Sequence, residues 1–155
     1  MTNLERARRL IASLRELGVS DFCVCAGSRN SPLIAAVGKP ATRQPGSLFS
    51  FVDERSAAFF ALGRAKRDRK PAAVITTSGT AVAELLPAVI EAHYSASPLI
   101  VITADRPARY RGSGAPQAIE QVGIFGAYAE DSIGTWSRLK PLHINIEFDE
   151  PLIDE

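Results

Sequence analysis

Runs of apolar residues alternate along the chain with stretches that repeat their apolar positions every three to four residues. Leu4, Ala7, Leu10, Ile11 and Leu14 carry the first such stripe. A Thr2-x-x-Glu5 capping box precedes it and Gly18 follows it, so the spacing predicts an amphipathic helix between them. Phe22 to Ala26 reads as a short buried strand, Gly27 to Pro32 as a loop, and the residues to about Gly38 as a short helix. Lys39 to Gly46 holds two prolines and reads as a surface connection. Strand, helix and strand then follow at Leu48 to Val52, Glu54 to about Asp68, and Ala72 to Thr76. A helix is expected from about Thr80 to His93 with a kink at Pro87, because proline removes a backbone donor and crowds the preceding turn. Pro98 to Thr103 is the fourth strand, Gly112 to Ala115 a turn, Gln117 to Phe125 a further helix, and Leu142 to Ile146 the last strand. The strands are continuous apolar runs separated by helical segments. That pattern belongs to a mostly parallel sheet covered by helices on both faces, a three-layer α/β fold.

Composition narrows the function classes without choosing among them. The 155 residues are 46% hydrophobic, with mean hydropathy +0.02, which fits one ordinary globular domain. The net charge of +1 gives no broad field for nucleic acid or a membrane surface. No stretch approaches the roughly 18 apolar residues of a membrane span, and residues 1–10 lack a signal-peptide core. The cytoplasm is the expected location. Arginine outnumbers lysine 14 to 4, which suits forked recognition of carboxylate or phosphate; codon bias would give the same count. Cys23 and Cys25 share one side of a strand. They have no partner at ligand spacing in His93 or His143, so they read as reduced core residues.

Candidate chemistry gathers where the expected strands end. Asp53-Glu54 follows the Phe- and Val-rich strand and opens a helix of small apolar residues. A carboxylate there lies at the edge where open α/β sheets bind ligands, and a helix N-terminus favours its charge. Gly27-Ser28-Arg29-Asn30-Ser31-Pro32-Leu33, Thr76-Thr77-Ser78-Gly79-Thr80-Ala81 and Thr103-Ala104-Asp105-Arg106-Pro107 follow the other strands. Gly27 and Gly79 permit close backbone approach or positive φ. Ser28, Thr77, Ser78 and Thr80 offer short donors beside helix starts, a setting for an anion, and Arg29 and Arg106 add fixed positive charge. The sequence has no GxGxxG, no GxxxxGK[ST] and no metal-ligand cluster. Ser28 has no evident histidine base, which argues against a serine hydrolase.

These four segments, with Gly114-Ala115-Pro116-Gln117 after the last, occur in one order along almost the whole chain. Together they resemble the N-terminal, pyrimidine-binding domain of the 2-succinyl-5-enolpyruvyl-6-hydroxy-3-cyclohexene-1-carboxylate synthases, thiamine-diphosphate-dependent enzymes of menaquinone biosynthesis. The resemblance implies that residues 1–155 form a single such domain. It implies a transferase that decarboxylates 2-oxoglutarate and adds the remaining four-carbon unit to isochorismate. Glu54 would be the catalytic carboxylate, hydrogen-bonded to the aminopyrimidine ring. Thr77, Ser78, Gly79 and Thr80 would line the cofactor, and Ser28, Arg29, Arg106 and Gln117 the substrate pocket. Three of these positions keep a plainer alternative: a structural salt bridge from Arg106 to Asp105 or Asp53, a helix start at Gln117, and a ligand-free turn at Thr77 to Thr80.

The family's central domain and its diphosphate-binding domain, with a Gly-Asp-Gly motif and a Mg or Mn ion, have no counterpart here, and no Gly-Asp-Gly occurs. The segment from Phe125 to Leu142 is also shorter than the family pattern. The resemblance therefore implies a site completed by the diphosphate-binding domain of a second subunit, a homo-oligomer, exposed apolar surface, and no turnover by this chain alone. Two other readings stand beside it: a domain of a different thiamine-diphosphate lyase or carboligase, and a non-catalytic module that binds an anionic metabolite.

Overall fold

A computed structural model describes residues 1–38 and 47–153. The expected connection at Lys39 to Gly46 lies outside the described residues. Helix α1 (Asn3–Glu16) starts at the predicted capping box: Thr2 Oγ1 accepts the Glu5 N–H, and Glu5 Oε2 accepts the Thr2 N–H. Strand β1 (Asp21–Cys25) leads through a five-residue loop to α2 (Ser31–Gly38). Next come β2 (Ser47–Phe51), α3 (Glu54–Asp68) and β3 (Ala72–Thr76). Helices α4 (Thr80–Ala83) and α5 (Leu86–Tyr94) follow, then β4 (Leu99–Asp105) and β5 (Leu142–Glu147), with single turns of 3-10 helix at Ala108–Tyr110, Gly126–Tyr128 and Ile133–Thr135 between the last two strands.

All five strands are parallel, in the order β2-β1-β3-β4-β5. The chain steps outward from β1 to β2, returns across to β3, and then proceeds in the other direction. The order therefore reverses between β1 and β3, and a ligand crevice is expected beyond the carboxyl ends of those two strands.

Alternate strand residues feed two separate cores. Phe22, Val24, Ala73, Ile75, Ile100 and Ile102 face the layer holding Ala7, Ile11 and Leu14 of α1 and Leu33 of α2. Cys23, Cys25, Val74, Leu99 and Val101 face Ala57, Ala58, Ala61, Leu62 and Ala65 of α3 and the apolar side of α5. This is the expected three-layer arrangement. Both thiols are free and buried, and burial pushes each up to about 12, so they are inert core groups. No helix among the described residues is long and apolar enough to cross a membrane.

Three expectations are corrected. The Thr80 to His93 helix is two helices, with the break at Glu84-Leu85 rather than a kink at Pro87; Pro87 instead occupies the first turn of α5, where its missing N–H has no intrahelical role. Strand β2 is not a buried run. It is a sheet edge with Leu48 half exposed, while Phe49 and Phe51 pack against Phe60 of α3. Gln117 to Phe125 is not a helix but a series of turns in which Gln117 and Gly123 take positive φ, 52° and 72°.

Candidate functional site

The loops that follow β1, β3 and β4 meet at the carboxyl edge. After β1, Asn30 is fully buried and closes the strand end on itself: its Oδ1 accepts the Gly27 N–H at 2.9 Å and its Nδ2 donates to Cys25 O at 2.8 Å. Gly27 lies directly against the turn after β3, since a Cβ at Gly27 would come within 2.7 Å of Thr77 Cβ. The glycine is thus required by close approach, and two of the segments read from the sequence become one surface at the point where strand order reverses.

The turn after β3 is built around Gly79, at φ 81° and ψ −142°, a conformation costly for any residue with a Cβ. A Cβ there would also meet the Gln117 backbone at 3.0 Å. Gln117, exposed and outside any helix, is therefore brought onto the turn by its backbone. Arg106 Nε donates to Pro116 O at 3.0 Å, and its guanidinium lies over the Tyr110 ring. So Arg106 holds the loop that carries Gln117 and makes no ion pair with Asp105 or Asp53. Asp105 is buried and takes Arg111 and Asn145 as partners instead. Helix α4 has only four residues, so the summed dipole expected to draw an anion to Thr80 is small. The special backbone of Gly79, not a long helix, shapes this turn.

Glu54 is the first residue of α3, which Asp53 caps by accepting the Ser56 N–H at 2.6 Å. The Ser56 hydroxyl, and after it that backbone bond, hold the Asp53 carboxyl below its usual range. Glu54 is half-buried, and its charge, with that of Asp53, helps to raise the Cys25 thiol at the end of β1. Among the described residues its carboxylate has no hydrogen-bond or ion-pair partner. Ser28 is exposed on the neighbouring loop. Arg29 is 6% exposed and engaged elsewhere: Nη1 donates to Phe148 O at 2.9 Å and Nη2 pairs with Glu150 at 3.0 Å. The edge thus gathers Glu54, Ser28, the Thr77–Thr80 turn, Arg106 and Gln117, while Arg29 ties the segment after β5 to the β1 loop.

Three polar residues that sequence reading passed over complete the edge: Asn30, Gln121 and Asn145. Gln121 is fully buried and accepts the Gly79 N–H at 3.1 Å. Nothing in its local pattern marks it, because its partners lie in the β3 turn and in two strands. Asn30 did carry a signal, since a short amide three residues after a glycine in a loop commonly bonds back to the backbone.

Comparison with known proteins fits this geometry. Residues 5–124 match the family described as thiamine pyrophosphate enzyme, N-terminal TPP binding domain. Among curated proteins, the chain is 52% identical over 165 aligned residues to a 2-succinyl-5-enolpyruvyl-6-hydroxy-3-cyclohexene-1-carboxylate synthase of Bdellovibrio bacteriovorus, covering 99% of this chain and 31% of that one. It is 48% identical to the protein of the same name from Akkermansia muciniphila, over 86% of this chain and 27% of that one. With the Corynebacterium diphtheriae protein of that name it shares 44% identity over 99% of this chain and 31% of the other. The chain thus spans about a third of the length of these relatives. On its match over most of its length and on its fold, the chain belongs to the family of N-terminal TPP-binding domains of thiamine pyrophosphate enzymes.

Proposed function

We propose that this chain is the pyrimidine-binding part of a thiamine-diphosphate-dependent 2-succinyl-5-enolpyruvyl-6-hydroxy-3-cyclohexene-1-carboxylate synthase of menaquinone biosynthesis. The observation that carries the reading is Glu54: a half-buried carboxylate without a protein partner among the described residues, at the carboxyl edge beside the strand-order reversal. The donor set fits the ring end of the cofactor. It offers one carboxylate, the hydroxyls of Thr77, Ser78 and Thr80, and a glycine turn whose backbone can approach a flat ring. No group of three metal-ligating side chains occurs among the described residues. The diphosphate and its Mg or Mn ion would therefore be held by another domain, contributed by a second subunit of a homo-oligomer.

Thiamine diphosphate, when bound, supplies the electron sink for decarboxylation and carbon–carbon bond formation. Glu54 would hold a proton in a hydrogen bond to a pyrimidine ring nitrogen and so set the ring's acid–base character. Thr77 to Thr80 would line the ring. Arg106, Gln117, Ser28 and Arg29 would face the substrate side, where 2-oxoglutarate and isochorismate both carry carboxylates suited to guanidinium forks. For Arg29 this role requires exchanging Glu150 for a substrate carboxylate; the Glu150 pair shows that the fork accepts one. The transferase chemistry and a cytoplasmic site of action complete the proposal.

The test is Glu54→Gln in the full-length protein, assayed with 2-oxoglutarate and isochorismate at saturating thiamine diphosphate. Gln keeps the size and loses the ionisable group, so kcat is expected to fall by at least about a hundredfold. Turnover within a few-fold of wild type would refute the role.

A further inference from the structure

The turn that the cofactor reading assigns to the pyrimidine ring is held from behind by a single buried amide. Gln121 is fully buried in the loop between β4 and β5, and its side chain makes three hydrogen bonds. Partners whose roles are fixed determine its orientation. The Gly79 N–H can only donate, so Oε1 faces it. The Ala104 carbonyl can only accept, so Nε2 faces it at 3.0 Å and reaches Asn145 Oδ1 at 2.7 Å.

The same logic runs outward from Asn145. Its oxygen faces Gln121, so its Nδ2 is left to donate to the Asp105 carboxylate at 2.9 Å. The Thr103 hydroxyl donates to Asn145 Oδ1 at 2.7 Å and therefore accepts from His143 Nε2 at 2.8 Å. Asp105 is also paired with Arg111, which bonds Glu147. One directed network thus joins the Gly79 turn to neighbouring residues of β4 and β5. The Gln121 and Asn145 amides have partners at both ends, whereas Arg111 Nε at the outer end of the network is buried without one. The satisfied part of such a network rigidifies what it connects.

We propose that Gln121 is a positioning residue of the cofactor site. It fixes the Gly79 amide, and with it the Thr77–Thr80 turn, to β4 and β5, so that the turn is set before the ring arrives. The proposal rests on the cofactor reading given above. Gln121 itself touches no ligand. Its effect would pass through the one backbone N–H it holds, which is why affinity for the cofactor, rather than the chemical step, should respond.

In the full-length protein, Gln121→Met keeps the side-chain volume and removes the bonds. The dissociation constant for thiamine diphosphate is expected to rise about tenfold, the scale of one buried hydrogen bond, while kcat at saturating cofactor stays within a few-fold. The Gly79 amide should lose protection from hydrogen exchange by a similar factor. Val89→Ala, which opens a cavity in α5, provides a destabilised control whose cofactor affinity should not move. Asn145→Ser loosens the anchor at a half-buried position and should give a smaller change of the same sign, which keeps the test available if Gln121→Met does not fold. An unchanged cofactor affinity, an unchanged Gly79 exchange rate, or an equal loss of affinity in Val89→Ala would each overturn the proposal. A wild-type protein that binds no thiamine diphosphate overturns the cofactor reading instead, and Gly79 exchange then decides whether the Gln121 brace exists.

Discussion

His143 shows how one buried side chain turns the polar network into a pH-dependent term. Its ring is 6% exposed, lies edge-on to Phe125 and, by the bond directions above, carries its proton on Nε2. Burial lowers its pKa from 6.5 to about 4, although Asp131 and Asp105 pull the other way. A histidine whose folded pKa lies below its unfolded value binds more protons when unfolded. Its contribution is therefore fully present above about pH 6.5 and is lost as the pH falls toward 4, by about 3 kcal/mol in all. Urea unfolding midpoints between pH 7 and pH 4 check this. His143→Gln should lose that part of the acid slope, and parallel slopes for variant and wild type would show that the ring does not titrate as described. In the sequence this histidine stands out only as a residue without metal-ligand spacing to Cys23 and Cys25. Its actual setting depends on Thr103 and Phe125, 40 and 18 residues away, and no local pattern reports either.

At the scale of elements, α3 links packing to the candidate site because the residue that opens it is Glu54. Its inner face is almost all alanine: Ala57, Ala58, Ala61 and Ala65 lie against Cys23, Cys25 and Val74. Small side chains let the helix sit close to the sheet, leaving no room for a larger residue. Ala61→Leu is expected to destabilise the chain by about 1–3 kcal/mol through overpacking, measured as a lower urea midpoint at unchanged slope. An unchanged midpoint would mean the interface is looser than the burial implies. This element was legible in the sequence because its signals are local: a capping acid, a run of small residues, and basic residues in the last turn. The five strands were legible for the same reason. The Gln117 to Phe125 segment was not. Ala118, Ile119 and Val122 have helical spacing, but Gln121 is drawn inward by three tertiary hydrogen bonds, and the backbone yields to them. Strand β2 misled in a simpler way. Apolar composition cannot tell a central strand from an edge, and only the crossover order places β2 outermost.

At the scale of the whole molecule, the candidate site is one-sided. Its groups lie along one edge of one sheet: Glu54 after β2, Gly27 and Ser28 after β1, the Gly79 turn after β3, and Arg106 with the Gln117 loop after β4. On the proposed reading these would supply contacts for a ring and for carboxylates. They supply no cluster for a divalent ion among the described residues, and the sequence contains no Gly-Asp-Gly segment. The relatives are about three times as long, which leaves room for a second ligand-binding domain in each. A diphosphate needs concentrated positive charge or a metal to be held out of water. If the proposed function is right, residues 1–155 alone are expected to bind thiamine diphosphate weakly and to turn over no isochorismate. Activity should appear when the same residues are joined to, or mixed with, a polypeptide that carries a Gly-Asp-Gly diphosphate site. In the mixed case it should rise with the concentration of that second polypeptide and saturate, because the site is assembled from two surfaces. Product formation followed by mass spectrometry across such a titration is the measurement. Turnover by residues 1–155 alone would place the diphosphate site within this chain and overturn the divided-site reading. A flat titration with a functional second polypeptide would break the assignment of this edge to the pyrimidine half.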